Sequence, residues 1–145
     1  MLSTDREILS TETEVRVRFN EVDSMGIVWH GSYAAYFEEA REAFGRAYGL
    51  DYLTIRDHGY YVPLVQLDFS FKHPLTYGDR AIVALSYTPC KAAKILFNYR
   101  ILSADRKTVI ATGSSTQVFL DHARNLVLYM PEFYEQWQKA QGVFL

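Results

Sequence analysis

The sequence has a single cysteine, Cys90, so it forms no intrachain disulfide and nothing marks it for an oxidising compartment. Long apolar runs are also missing. The opening segment MLSTDREILS lacks the hydrophobic centre of a secretion signal or a membrane span. Basic residues are not in excess: 15 Lys and Arg stand against 17 Asp and Glu, for a formal net charge of −2, which gives no support to a nucleic-acid-binding surface. The four histidines, His30, His58, His73 and His122, are scattered, and none is spaced as a ligand pair with another or with Cys90, so no metal is expected. The glycine spacings of the two phosphate-cradling loops and of the serine-hydrolase elbow are absent. No repeat, low-complexity segment or Gly/Pro/Ser-rich linker interrupts the chain, so residues 1–145 read as one domain. A cytoplasmic protein without redox or metal cofactor is the expectation these absences leave.

What the chain does have is an ordinary globular composition, 49% hydrophobic and 22% charged, with many aromatics: 11 Tyr, 9 Phe and 2 Trp. Such aromatic content suits a large apolar pocket or a subunit interface. Residues 1–12 are polar and read as loose. Glu14 to Asn20 alternates Val15, Val17 and Phe19 with Arg16 and Arg18, the pattern of a half-buried strand. From about His30 to Tyr48 the period becomes helical, with Tyr33, Phe37, Ala40, Phe44 and Ala47 on one face and Gly49 as a stop. Asp51 to His58 reads as a short second helix.

After Tyr60 the period is two. Val65, Leu67, Phe69 and Phe71 define one strand, Ile82 to Thr88 a second, Lys94 to Ser103 a third and Thr108 to Leu120 a fourth. His73-Pro74, Tyr77-Gly78-Asp79 and Ala104 to Lys107 separate them as turns. Ala111, Gly113 and Ser115 would let something pack closely on the last strand. Leu126 to Met130 reads as a short extended piece, and Pro131 suits the first position of a C-terminal helix. One strand, one long helix with a broad apolar face, and then consecutive antiparallel strands make an α+β domain with the helix lying on the sheet. The sheet leaves an edge, and pairing with a second copy is a common remedy.

Chemistry concentrates at residues 23–44, DSMGIVWHGSYAAYFEEAREAF. Asp23 sits in a turn just ahead of a helix N-terminus, where unpaired amides hold negative charge. In the chemistry implied by the resemblance given next, a carboxylate there is the general base or the nucleophile, and the amides near His30 and Gly31 hold an oxyanion. Gly26 lets the backbone turn tightly between the two. The plainer readings are a turn-stabilising Asp23, a His30 that only packs at the helix entry, a Tyr33 in the core and a solvated Glu38 and Glu39.

The run Asp23-Ser24-Met25-Gly26-Ile27-Val28-Trp29-His30-Gly31-Ser32-Tyr33, followed by Phe37-Glu38 and Ala40-Arg41, resembles the signature of hotdog-fold acyl-CoA thioesterases. The resemblance is to the 4-hydroxybenzoyl-CoA thioesterase-like branch, which includes the Tol-Pal-associated thioesterases. It covers nearly the whole chain. It implies a long central helix wrapped by a curved antiparallel sheet, and hydrolysis of acyl-CoA to a carboxylic acid and free CoA, with an acyl carrier protein as the other possible carrier. It implies Asp23 as the essential carboxylate and an amide near His30 polarising the carbonyl. Gly26, Tyr33, Glu38 and Tyr61 are the substrate-binding candidates it suggests, with Lys91 and Lys94 near the nucleotide end of CoA. It further implies a homodimer with sites at the interface, or a homotetramer of two such dimers. The rival readings are a dehydratase or hydratase of the same fold, using His30 and Glu38, and a non-catalytic acyl-CoA binding module.

Overall fold

The computed structural model describes residues 8–145. Seven strands form an antiparallel sheet: β1 Ser10–Arg16, β2 Tyr60–Tyr61, β3 Leu64–Phe71, β4 Arg80–Thr88, β5 Lys94–Ser103, β6 Val109–Asp121 and β7 Leu126–Val127. The order runs β1-β4-β5-β6; beyond β6 lie β3 along most of its length and β2 at its end, while β7 pairs with Phe119 and Leu120 of β6 on the opposite side from β2. Three helices, α1 Ser32–Tyr48, α2 Tyr52–Asp57 and α3 Glu132–Ala140, complete the fold. No helix among the described residues is long and apolar enough to cross a membrane.

The helix α1 lies on the sheet because its apolar residues form one face. Tyr33, Tyr36, Phe37, Ala40 and Phe44 are buried, and Gly49 closes the helix at φ +72°. Ala47, which the periodicity assigns to this face, is exposed. Gly45 is buried in the last turn instead, against the chain that leaves the helix: an added Cβ would come within 2.9 Å of the Leu50 carbonyl oxygen. Phe37 stacks on Tyr99 of β5 at 4.0 Å and on Phe69 of β3 at 5.0 Å. That approach depends on Gly113: a Cβ there would stand 2.3 Å from the Asp68 carbonyl oxygen and 2.5 Å from the Phe37 ring. Ala111 and Ser115, the other small residues of β6, are buried beside it.

Two strand expectations shift. β1 occupies Ser10–Arg16 instead of Glu14 to Asn20, paired with Ser86 through Arg80 of β4, so Ser10 to Glu12 are ordered partners of the sheet. Residues 1–7 of the segment read as loose lie outside the described residues. Val15 and Val17 are buried as the alternation requires, but the chain turns after Arg18, whose amide donates to Glu21 Oε1 at 2.8 Å. Phe19 therefore sits in a 3-10 turn, 79% exposed. In β3 Leu67 and Phe69 pack against the core and Phe71 meets Tyr33 while staying 51% exposed; Val65, 59% exposed, falls at the break in the β3–β6 register between Leu64 and Gln66.

The C-terminal helix is locked on by a buried polar cluster. Tyr134 and Tyr87 share a 2.5 Å hydrogen bond, the Tyr134 hydroxyl reaches the Lys94 carbonyl at 3.0 Å, and Gln138 Nε2 donates to the Tyr87 hydroxyl at 3.1 Å. Burial raises the pKa of both phenols, that of Tyr134 far above its ordinary value, so they stay protonated donors. Pro131 caps this helix, one residue outside the expected first position.

Candidate active site

Asp23 opens a five-residue loop closed by backbone bonds. Its amide donates to the Ile27 carbonyl at 2.8 Å, and the Gly26 amide returns to the Asp23 carbonyl at 3.0 Å. Gly26 takes φ +76°, and a Cβ there would meet nothing, so backbone conformation alone selects glycine. The carboxylate is divided in its use. Oδ1 accepts from the amides of Met25 at 2.8 Å and Ile27 at 3.3 Å; Oδ2 has no partner among the described residues. The turn-stabilising reading and the chemical one therefore hold together, one oxygen each.

The loop is fastened to its surroundings on both sides. Val28 donates to the Leu75 carbonyl and Trp29 to the Glu21 carbonyl, each at 2.8 Å. Glu21 also accepts from the Tyr36 hydroxyl at 2.9 Å, which ties the loop to α1. Burial first, and then Glu21, raises the Tyr36 phenol well above its ordinary pKa, so it remains a donor.

At the head of α1 the accounting of amides is informative. Trp29, Ser32 and Tyr33 amides are engaged, the latter two with the Trp29 and His30 carbonyls at 2.9 and 3.3 Å. The amides of His30 and Gly31 have no acceptor among the described residues. Gly31 is the helix N-cap, with no side-chain cap. The Trp29 ring folds over it so closely that a Cβ at Gly31 would fall 2.0 Å from the ring. A free carboxylate oxygen and the two free amides of the helix head thus occupy one segment of nine residues, in which the Ser24 amide is likewise without an acceptor among the described residues.

Asp23, His30 and Tyr33 line a common cleft of about 320 Å³ with Phe71, Lys72 and His73. Tyr33 is a core residue, 3% exposed, packed against Phe71 at 5.0 Å, and burial raises its phenol pKa. Lys72 and His73 enter the cleft because both their amides are held by the Ile110 carbonyl, at 2.9 and 3.0 Å, as β3 ends. The sequence carried no signal for them: they lie some fifty residues from Asp23 in a stretch legible only as a turn.

Glu38 and Tyr61 lie elsewhere, on a second cavity of about 770 Å³ between α1, α2, β5 and β6, which Arg41, Pro63 and Leu120 also line. Lys91 and Lys94 are exposed around the β4–β5 turn and line neither cavity. No group of three or more metal-ligating side chains occurs among the described residues.

Comparison with known proteins agrees with this architecture. The model of the thioesterase-like superfamily matches residues 17–138. YneP of Bacillus subtilis (strain 168), whose name as an acyl-CoA thioesterase is provisional, is 28% identical over 134 residues, covering 90% of this chain and 97% of its own. The 1,4-dihydroxy-2-naphthoyl-CoA hydrolase of Rippkaea orientalis is also 28% identical, over 126 residues, with 86% and 91% covered. A crystal structure of a hypothetical protein from Aquifex aeolicus superposes with a TM-score of 0.77 at 31% identity, covering 86% of this chain and 97% of that one. With the long helix packed on the antiparallel sheet as in hotdog thioesterases, the chain belongs to the thioesterase-like superfamily.

Proposed function

We propose that this thioester hydrolase cleaves acyl-CoA with Asp23 as the reacting carboxylate and the His30 and Gly31 amides as the oxyanion holder. The observation that carries the reading is the set of free groups: among the described residues Asp23 Oδ2 and the two amides are without partners, although the amides of Met25 to Trp29 before them and of Ser32 and Tyr33 after them are bonded. Backbone amides fixed before the reaction stabilise the charge that develops on the carbonyl oxygen without reorganising.

As general base, Asp23 takes a proton from water as the water oxygen bonds the carbonyl carbon. The tetrahedral intermediate then collapses, the C–S bond breaks, and the proton goes to the departing thiolate. As nucleophile, Oδ2 itself bonds the carbon, CoA thiolate leaves, and water opens the resulting anhydride. Both routes use the same free oxygen and need no redox cofactor or metal. His30 is assigned a supporting role beside Asp23. Lys91 and Lys94 are assigned to the phosphates of CoA, a reading their exposure favours. An acyl carrier protein in place of CoA presents the same thioester.

The active unit in this reading is a dimer, alone or doubled to a tetramer. Its support is β3, which pairs only with β6 among the described residues and leaves Leu64, Val65 and Phe71 exposed along the sheet edge. The cytoplasm is its proposed location.

The test is product analysis with acyl-CoA esters of several chain lengths. Release of one free thiol and one carboxylic acid per substrate is expected. Interconversion of enoyl and hydroxyacyl thioesters would identify a hydratase, and tight binding with no thiol release would identify a binding module.

A further inference from the structure

Glu21 stands two residues before Asp23 and meets α1 at two points. Its backbone carbonyl accepts from the Trp29 amide at 2.8 Å and from the Ser32 hydroxyl at 3.4 Å. Its side-chain Oε1 accepts from the Tyr36 hydroxyl at 2.9 Å and from the Arg18 amide at 2.8 Å. Ser32 and Tyr36 are one turn apart on the same helix face, so Glu21 lies along that face. Tyr36 is buried and makes a fixed anchor.

These bonds reach both halves of the site. Towards the carboxylate, Val22 bridges Val28 and the Asp23 amide is tied to the Ile27 carbonyl, so Asp23 follows closely on Glu21. Towards the amides, His30 and Gly31 lie between Trp29 and Ser32, the two groups that the Glu21 carbonyl holds. One residue is thus bonded on each side of the gap between the free carboxylate oxygen and the free amides. Glu21 itself is not placed to react. It lines no wall of the Asp23 cleft, and borders a separate cleft of about 630 Å³ with Arg18, Phe19 and Tyr77. Its Oε1 is already filled by two donors.

We infer that Glu21 is a positioning residue for the hydrolysis, its bond to Tyr36 setting the Asp23 loop against the head of α1. The inference rests on the thioester-hydrolase reading and adds the residue that fixes the reacting carboxylate relative to the oxyanion holder. A misplacement of about 1 Å costs on the order of 10²-fold in rate. Because such a loss falls on the transition state, kcat drops and KM does not.

The test is steady-state thiol release with the acyl-CoA ester that the wild type hydrolyses best, on variants checked by circular dichroism. Glu21→Ala and Tyr36→Phe remove the bond from either side. Each should lower kcat by about 10–100-fold with KM within threefold of the wild type. The double variant should fall no further than Glu21→Ala, since the same bond is lost only once. Glu21→Gln keeps an acceptor oxygen for both donors, and its kcat should stand at least threefold above that of Glu21→Ala. If Glu21→Ala does not fold, Tyr36→Phe decides alone. A folded single variant with kcat within threefold of the wild type overturns the inference. So do losses confined to KM, losses that multiply in the double variant, or a Glu21→Gln protein no better than Glu21→Ala. A wild type that releases no thiol, or an Asp23→Asn protein with wild-type turnover, overturns the underlying reading instead, so the two fail separately.

Discussion

Asp23 commits one carboxylate oxygen to its own turn and has no partner for the other among the described residues, a division that suits the reacting role proposed for it. The turn at Asp23 and Gly26 and the helix head after it were legible in the sequence because turn and capping chemistry are local, set by neighbours in the chain. Lys72 and His73 were illegible because their place in the cleft depends on where β3 ends against β6, a tertiary fact. His30 has a defined place at the cleft but, in this account, acts through its backbone amide. His30→Ala, which keeps that amide, should therefore lower kcat/KM by less than Asp23→Asn does in a thiol-release assay; the reverse ranking would move the chemistry to the imidazole. The same logic makes Trp29, folded over Gly31, a cover for the amides without a role in proton transfer.

At the scale of elements, α1 and β6 fit each other through one missing side chain. Gly113→Ala puts a methyl into the Asp68 carbonyl and the Phe37 ring, one of which is backbone and neither of which is free to move. The expected cost is about 1–3 kcal/mol, as for other overpacked cores, read by urea denaturation; an unchanged midpoint would mean that the helix does not seat as described. The small residues of β6 announced such a contact in the sequence, but not which ring would occupy it. The polar lock of α3 had no sequence signature at all. Tyr134→Phe leaves the Tyr87 hydroxyl and the Lys94 carbonyl short of a partner in the core, and should cost about 1–3 kcal/mol in the same experiment with no change in the far-ultraviolet spectrum. β1 shows the opposite kind of failure. Its alternation was read correctly at Val15 and Val17, but its ends slipped because polar residues 10–12 join the ladder through backbone bonds and Glu21 draws the chain into a turn after Arg18.

In the molecule as a whole the proposed reacting groups lie at one end of α1, in a cleft that β3 closes with Phe71, and a cavity of about 770 Å³ lies further along the same helix. The α+β class and the helix-on-sheet arrangement followed from counting periods, because each period is set by backbone geometry. The two cavities did not, since they depend on which side chains from distant strands leave space. An exposed edge bearing Leu64, Val65 and Phe71 is expected to pair with a second copy. Sedimentation at micromolar concentration should report a dimer or larger assembly of the 16.8 kDa chain. Val65→Lys, which places like charges across the antiparallel edge, should shift the protein toward monomer and lower activity with it. A fully active monomer would separate the site from assembly.

The account stands most directly on thiol release by Asp23→Asn. With the acyl-CoA ester that the wild type hydrolyses best, the variant should lose about 10²–10⁴-fold in kcat while its sedimentation and circular dichroism stay those of the wild type. A variant that folds, assembles and still turns over within threefold of the wild type would contradict the assignment of the reaction to Asp23.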